Sequence, residues 1–422
     1  MHHTGAPAQG LPAVDTEPAF DPGPLLPTLA AAHQRIRAVN PERYARTRNA
    51  LDGAVSGLSP YISHGFVSLA EVLTAVNAVH AIDIQHKFVY ELGWRAFYRH
   101  VWQHRGADIF RSLHEGPLPE QAYTPELPAD VREGRTGVPV VDMAVHTLYA
   151  TGTLHNHARM WLASYVVHLR KVHWRAGADW LYAHLLDGDL ASNHLSWQWV
   201  AGTGSSKPYL FNADSVARFA PPPWHSPGSA IDTSYEALDL LARGPLALAT
   251  PPLDVPPVAL HAEPDRHTQP PSALGATPPN ATQVAGRDVW LVHPWSLGEL
   301  PADLAPDTLV LGLYLGDFHR ARPWSERRWR FVGTRMAALT PVCWYGDAAA
   351  VGQALAAART VRSTAEPHLS HWLVPWATCT PEPTLFPTVE QSCASFSQWW
   401  NRTTRGLHTA ADLLARLAHK NA

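Results

Sequence analysis

The chain has 422 residues, which is enough for two domains or for one large domain with a smaller one. Its formal net charge of −3, with histidines neutral, excludes a protein that attracts nucleic acid through its overall field, although a local basic patch remains compatible. The three cysteines, Cys343, Cys379 and Cys393, show no CxxC spacing, so neither a disulfide framework nor a zinc or iron–sulfur site is supported.

Residues 1–24 are rich in proline and glycine and are predicted to be disordered. This segment shows no signal-peptide pattern, and no stretch of the chain approaches 18 consecutive apolar residues. The sequence therefore predicts a soluble, cytoplasmic protein that does not associate with a membrane.

Residues 25–219 have a helical pattern, and no alternation typical of a strand interrupts it. Apolar residues recur at spacings of three and four in the stretches 68–82, 84–104, 138–152 and 155–172. Gly152 and Gly177 stand where helix boundaries are expected. We therefore predict an all-α domain over residues 25–219.

Residues 220–285 are predicted to be a proline-rich linker, with SYEALDLLARG as a short helix inside it. In residues 286–422, buried strands are predicted at VWLVHP, TLVLGLYLG and PVCWYGD, with helical stretches between and after the later ones. This rhythm is typical of a small parallel sheet. The predicted fold is an all-α domain followed by a small α/β Rossmann-like domain.

Two predicted helices carry polar side chains where a plain core would be apolar. One face of the stretch 84–104 carries Glu91, Trp94, Arg95 and Tyr98. One face of the stretch 155–172 carries Asn156, Arg159 and Met160. Taken alone, Glu91 and Arg95 would be an ordinary surface ion pair and Trp94 would be core.

The stretch DGDLASNHLSWQW, residues 187–199, combines acids, an amide and two tryptophans. Asp187 and Asp189 can anchor a buried arginine such as Arg159, or accept hydrogen bonds from a ligand. Upstream, the serine- and glycine-rich stretch 53–65 suits phosphate binding, although such stretches are usually turns. The 17 tryptophans of the chain favour stacking or electron transfer, with aromatic-rich helices as the alternative.

Five segments together closely resemble the flavin domain of the photolyase/cryptochrome flavoproteins. They are GLSPYISHG, YELGWRAFYRH, EGRTGVPVVDMAV, TGTLHNHARMWLASYVV and WRAGADWLYAHLLDGDLASNHLSWQWVAGTG. The resemblance covers roughly residues 40–213 and implies a helical domain that binds FAD in a bent shape.

The resemblance implies the cofactor-binding residues Tyr44, Ser56, Leu58, Ser59, Arg159, Asp187, Asp189 and Asn193. The serine-rich loop would hold the FAD phosphates. Arg159 would pair with Asp187 close to the isoalloxazine, and Asn193 would face flavin N5. Asp189 would bind the flavin or the adenine edge.

The resemblance also implies residues for the chemistry. Trp197 would be the first electron donor to photoexcited flavin and Trp174 the second, with ring packing as the alternative role for Trp197. The pocket for a flipped pyrimidine dimer would be lined by Glu91, Trp94, Asn156, Met160 and Trp199. The carboxylate would accept hydrogen bonds from the thymine edges, and the two indoles would stack on the bases. An asparagine and a methionine replace the paired histidines of (6-4) photolyases, which argues against that substrate.

The electron chain departs from the family pattern. Its third tryptophan should fall near residue 121, where Gln121 cannot carry a charge. Tyr123 could replace it, or Trp161 or Trp180 by another route. Photoreduction could therefore be slow or rerouted, whereas repair starts from reduced flavin.

Two further departures concern DNA and domain order. His157 stands where the family has an arginine that can contact DNA phosphate, which leaves Lys207 and Arg218 as candidate cations. We therefore expect modest, salt-sensitive DNA affinity. The α/β domain follows the helical domain instead of preceding it. It is either a rearranged or degenerate version of the family's N-terminal domain or a small α/β module that only caps the helical domain.

The sequence thus predicts a light-driven, FAD-dependent lyase that splits cyclobutane pyrimidine dimers in UV-damaged DNA. The main alternative is a cryptochrome-like blue-light photoreceptor without repair activity, and a third is a flavoprotein fold whose photochemistry has decayed. A preference for single-stranded DNA, an antenna chromophore, the role of the C-terminal domain and the oligomeric state are left open.

Overall fold

The computed structural model describes residues 25–249, 262–382 and 384–421. The disorder predicted for residues 1–24 lies outside the described residues. Among those that are described, no helix combines the length and the apolar character needed to cross a bilayer.

The α-helices are α1 Leu29–Arg37, α2 Pro41–Thr47, α3 Ser59–Ser63, α4 Leu69–Val79, α5 Lys87–Arg105, α6 Ala129–Arg132, α7 Pro139–Thr151, α8 Asn156–Ser164, α9 Trp174–His184, α10 Leu190–Ala201, α11 Ala213–Phe219, α12 Tyr235–Arg243, α13 Ala281–Val284, α14 Gly316–Ala321, α15 Glu326–Leu339, α16 Ala348–Leu355, α17 Ser370–Trp376, α18 Phe396–Thr403 and α19 Ala410–Asn421. A π-helical turn, Tyr165–Leu169, extends α8, and short 3₁₀ turns lie at Gly106–Phe110, Glu120–Ala122, Pro222–Trp224 and Ser272–Leu274. The strands are β1 Arg266–His267, β2 Asp288–Val292, β3 Leu309–Leu315, β4 Trp324–Ser325, β5 Cys343–Gly346, β6 Thr360–Thr364 and β7 Thr378–Thr380.

Residues 25–249, all of them described, contain helices and turns and no strand. Local sequence explains several helix ends. Ser68 and Glu71 form a reciprocal capping box at the start of α4. Helix α7 starts with Pro139 and ends at Gly152, whose φ of 70° is left-handed. The helix boundary expected at Gly152 is therefore confirmed.

The helix boundary expected at Gly177 is wrong, because this glycine lies inside α9. The ring of Trp197, on α10, packs against it. A Cβ atom at residue 177 would lie 2.3 Å from that ring. A close contact between two helices, and not a helix end, therefore accounts for this glycine.

The predicted parallel sheet is confirmed and has the strand order β5-β3-β2-β6-β7, with every neighbouring pair parallel. The three predicted strands correspond to β2, β3 and β5. Strands β6 and β7 were not predicted, because both are short and mostly polar. The chain runs from β2 outward to β5 and then returns to the other side of β2.

The described part of the predicted linker 220–285 contains packed elements. The expected short helix is present as α12. Strand β1 pairs antiparallel with β4. The Glu263 carboxylate lies 2.9 Å from Arg132 and 3.2 Å from His184, which ties this segment to the helical part of the chain.

Two clusters of buried side chains form the core. One gathers α7, α8, α9 and part of α10. The other combines α1, α4 and α5 with the sheet and α15, so it runs across the predicted boundary at residue 285. Trp324, Trp329, Trp344 and Trp400 are fully buried in it, so much of the tryptophan content serves packing.

Candidate functional site

A cleft of about 430 Å³ opens between α5, α8, α9 and α10. It is lined by twelve of the residues that the sequence analysis singled out for the site: Tyr44, Ser59, Glu91, Trp94, Asn156, Arg159, Met160, Asp187, Asp189, Asn193, Trp197 and Trp199. Residues from separate stretches of the chain therefore share one concave surface, as a ligand-binding site requires.

The ion pair implied between Arg159 and Asp187 is present. One guanidinium nitrogen of Arg159 lies 2.9 Å from both carboxylate oxygens, and its Nε donates to the Leu154 carbonyl at 2.8 Å. The second contact fixes the direction of the guanidinium. Arg159 and Asp187 thus form one preorganised unit on the wall of the cleft.

Asp189 is buried and ends the loop that precedes α10. Its Oδ1 accepts the backbone N–H of Ser192 at 2.8 Å, which caps the helix. Burial alone would raise the pKa of Asp189, but the cations Arg99 and Arg95 outweigh it and hold this pKa well below its usual range. The cleft therefore has a carboxylate acceptor at this position that stays ionised at neutral pH.

Asn193 and Trp197 follow on the same helix. The Asn193 side-chain amide donates to the Ala178 carbonyl at 2.8 Å, which fixes the orientation of the amide. Trp197 is buried against Gly177.

Trp174 lies outside the cleft. It lines a separate small crevice with Tyr123 and Glu120, and its indole N–H donates to Ser112 at 3.0 Å. The His173 ring lies between the two aromatic residues, with centroid distances of 5.6 Å to Trp174 and 6.4 Å to Tyr123.

The possible surface pair of Glu91 with Arg95 is not formed. Glu91 instead lies 3.5 Å from Arg48, and Arg95 donates to the Ser63 hydroxyl at 3.0 Å. Burial raises the pKa of Glu91, although Arg48 opposes that shift. The carboxylate therefore faces the cleft with one partly exposed cation beside it.

The aromatic residues on this side differ in exposure. Trp94 stacks on Phe396 with a centroid distance of 4.1 Å and an interplanar angle of 12°, so one face of its indole is covered. Trp199 is 37% exposed, which is unusual for so large an apolar side chain. Both rings line the cleft, and Trp199 keeps a surface on which another flat group can stack.

The serine-rich loop is divided between two adjoining clefts. Ser59 and Tyr44 line the main cleft, whereas Ser56 lines a smaller one together with Tyr44, Arg35 and Arg43. The Leu58 side chain is buried, so only its backbone is available to a ligand. Ser56 and Leu58 are therefore not brought into the main cleft, although Tyr44 connects the two.

Unpaired polar atoms test whether the site fits a flavin nucleotide. The buried Ser192 hydroxyl, which lines the cleft, has no hydrogen-bond partner among the described atoms. The second carboxylate oxygen of Asp189 lies 3.1 Å from Arg99 but also lacks a hydrogen bond within the described chain. Buried polar atoms are rarely left unpaired. A ligand with amide and hydroxyl groups fits this side of the cleft.

Sequence reasoning missed part of this environment. Ser192 lies three residues after Asp189, in the first turn of α10, and that spacing could have indicated it. Arg99, on α5, lies between Asp189 and Glu366. No local pattern points to Glu366, because it comes from the distant C-terminal part of the chain.

The residues considered for DNA phosphate differ in their exposure. The His157 ring stacks at 5.5 Å on Phe219 and contacts Trp161 at 5.8 Å, so it is held inside the helical packing. Lys207 and Arg218 are exposed. Those two remain candidate contacts for phosphate.

Residues 88–222 match the family model for the FAD binding domain of DNA photolyase. Deoxyribodipyrimidine photo-lyase from Synechococcus sp. is 34% identical over 184 residues, which cover 40% of this chain and 37% of the relative. The enzyme of that name from Thermus thermophilus is 37% identical over 208 residues, covering 46% of this chain and 48% of the relative. The chain thus spans less than half the length of these two curated relatives.

Solved structures are similar over a comparable share of the chain. The Synechocystis sp. cryptochrome is 27% identical with a TM-score of 0.41, covering 45% of this chain and 43% of that one. An archaeal photolyase from Sulfolobus tokodaii, solved with two FAD molecules, is 26% identical with a TM-score of 0.39, covering 44% of each chain.

Proposed function

We propose that this chain, whose residues 88–222 match the FAD binding domain of DNA photolyase, is an FAD-dependent lyase that splits cyclobutane pyrimidine dimers in UV-damaged DNA with light. The observation that carries the proposal is the shared cleft. The acidic pair Asp187 and Asp189 lines the same cleft as Glu91 and the two indoles, Trp94 and Trp199.

The residues that would hold FAD line the cleft. Two of them, Asp189 and Ser192, have polar atoms without a hydrogen-bond partner in the described chain. Asp189 and Ser192 would accept and donate hydrogen bonds at the ring system, and Asn193 would contact it from the same helix. The Arg159–Asp187 unit would keep its charge balanced beside the cofactor. When bound, FAD supplies light absorption and a transferable electron.

The residues on the lesion side would bind the dimer after it leaves the duplex stack. Trp199 would stack on one base through its exposed ring, and Trp94 would present the indole face that Phe396 does not cover. Glu91 would accept hydrogen bonds from the thymine edge. Asn156 and Met160, which touch each other at 3.6 Å, would close the wall beside it.

Electrons for flavin reduction would pass from Trp174 to Trp197. Beyond Trp174 we propose Tyr123 as the outer carrier, because it shares a crevice with Trp174 and is less buried than the other two candidates. Trp161 and Trp180 are 1% and 2% exposed, so neither provides an end of the route at solvent.

A photoreceptor without repair activity is the second candidate function. It is favoured by His157, which stacks inside the protein where a repair enzyme would gain from a cation directed at phosphate. A net charge of −3 adds no general attraction for DNA. On this alternative the same cleft would bind FAD, and light would change the flavin's redox state without splitting a dimer.

A repair assay distinguishes the two functions. Protein loaded with FAD and chemically reduced is mixed with UV-irradiated oligo(dT) or the matching duplex, with and without blue light. Recovery of thymine absorbance that requires light is expected for the wild-type chain and should fall at least about 100-fold for Trp199→Ala combined with Glu91→Ala.

The control is Glu236→Ala, which removes an exposed carboxylate on α12 and should repair as the wild type does. Photoreducible FAD with no dimer splitting in either DNA form would reject the lyase and support the photoreceptor. Failure to retain FAD would reject both.

A further inference from the structure

The carboxyl end of the parallel sheet has a crevice between β2 and β6, where the strand order reverses. Open α/β sheets usually bind ligands at this point. Here the crevice is filled by side chains from the loops that follow the two strands. His293, Trp295 and His368 are at most 4% exposed, and Trp295 stacks on His368 with centroids 4.4 Å apart.

The filled crevice rests directly on the loop that carries the two aspartates of the cleft. The two ring nitrogens of His64 lie 2.6 Å from the Pro294 carbonyl and 2.9 Å from the Leu186 carbonyl, so this ring joins the sheet to the loop. On the other side, the Leu190 backbone N–H donates to His368 at 3.4 Å. The segment 186–190 therefore contacts the C-terminal part of the chain directly at Leu190 and reaches it through His64 at Leu186.

Arg328, on α15, holds the middle of the same loop. It is fully buried, and its guanidinium donates to the carbonyls of Gly188 at 2.6 Å and Tyr182 at 2.8 Å. A Cβ atom at residue 188 would lie 2.4 Å from this guanidinium. The same Cβ atom would lie 2.8 Å from the Tyr182 carbonyl, so the glycine between the two aspartates leaves room for this backbone as well as for the guanidinium.

A series of side-chain contacts also links Asp189 to the C-terminal part of the chain. Arg99 lies 3.1 Å from Asp189 and 2.7 Å from Glu366, and Glu366 in turn lies 2.5 Å from His368. Only Asp189 of these residues lines the cleft. The charge that balances it is thus itself anchored on the loop after β6.

We propose that the C-terminal α/β part is a clamp on the cofactor loop, in which Arg328 and Glu366 are positioning residues for Asp187 and Asp189. The inference rests on the proposed function, since it assigns these carboxylates to FAD. It also implies that the switch-point crevice serves this contact and binds no second ligand, because buried side chains fill it.

The clamp is tested with Arg328→Lys and Glu366→Gln. Lysine keeps the charge but cannot reach two carbonyls with a planar fork, and glutamine keeps the shape but removes the charge. The matched controls are Arg330→Lys, on the exposed side of the same helix, and Glu326→Gln, an exposed acid on that helix. We expect the FAD dissociation constant to rise on the order of tenfold or more in the two test variants and to stay unchanged in the controls.

Hydrogen exchange of the FAD-free protein provides a second readout. Amides of residues 186–193 should exchange faster in the test variants, whereas amides of α7 should keep the wild-type rate. Unchanged FAD affinity with unchanged exchange would overturn the clamp, and so would faster exchange in α7 as well, which would mark general destabilisation. If wild-type protein binds no FAD, the proposed function fails, but the exchange comparison still decides whether the clamp exists.

Discussion

At the scale of single residues, Asp189 combines tasks that are usually separate. One oxygen caps α10, and the other lies beside Arg99 without a hydrogen bond in the described chain. A buried carboxylate is tolerated only when charges and donors compensate for lost hydration. The compensation here is incomplete on the cleft side, so the residue is both structural and available to a ligand.

The pKa of Glu91 leads to a testable prediction at the same scale. Burial raises this pKa, and Arg48 opposes the shift. Arg48→Met removes that opposition, so the pKa of Glu91 should rise further and the carboxylate should protonate at higher pH. If Glu91 accepts hydrogen bonds from the lesion, the acid limb of the repair rate should move to higher pH. A pH profile of kcat/KM measures this.

Lys87→Met is the control, because Lys87 has the smaller influence on the same carboxyl. Its acid limb should move less. Identical profiles for wild type and Arg48→Met would contradict a functional role for the ionised form of Glu91.

At the scale of elements, the contact of α9 with α10 shows how a glycine inside a helix can be favourable. Glycine normally weakens a helix by about 1 kcal/mol relative to alanine. At residue 177 that cost is offset, since the Trp197 ring occupies the space a side chain would need. The position of the indole thus depends on a missing methyl group on the neighbouring helix.

We therefore expect Gly177→Ala to destabilise the protein by about 1–3 kcal/mol, although the same change in an open helix would stabilise it. Urea unfolding measures the effect. Adding Trp197→Phe, with its smaller ring, should recover part of the loss. A stabilised Gly177→Ala protein would show that the two helices separate at little cost.

At the scale of the whole molecule, buried acids connect distant parts of the chain. Burial would raise the pKa of Glu263, but hydrogen bonds from His184 and Arg132, with the Arg266 charge, lower it to about 2. Burial of His168 lowers its pKa to about 4. Both groups bind protons more readily in the unfolded chain, so acid favours unfolding.

The free energy of unfolding should therefore fall with pH in two stages. Buried histidines such as His168 should lower the free energy of unfolding as the pH falls below about 6.5, which is the pKa of histidine in the unfolded chain. The contribution of Glu263 is present above its unfolded pKa of about 4.3 and should be lost as the pH falls towards about 2. Denaturant titrations between pH 7 and pH 2 measure both stages.

Glu263→Gln should reduce the slope of the lower stage, whereas the exposed-site control Glu115→Gln should leave it unchanged. Equal slopes in all three proteins would mean that the ties of Glu263 to Arg132 and His184 do not contribute to stability.

Local sequence patterns determined much of this protein. The spacing of apolar residues predicted helices α4, α5, α7 and α8, and short apolar runs predicted strands β2, β3 and β5. Both patterns can be recognised because each is contained within a short stretch of consecutive residues. The pairing of Arg159 with Asp187, which the resemblance implied, spans only 28 residues. Motif order was enough to place these residues in one cleft.

Only the tertiary structure decided which distant charges meet. Arg99 and Glu366 are 267 residues apart, and Arg328 and Gly188 are 140 apart. No periodicity records such contacts, because a buried charge is specified by whatever three-dimensional neighbour compensates for its lost hydration. The sequence therefore determined many of the elements and most of the residues that line the cleft, whereas the packing of the sheet against the loop decided what holds those residues in position.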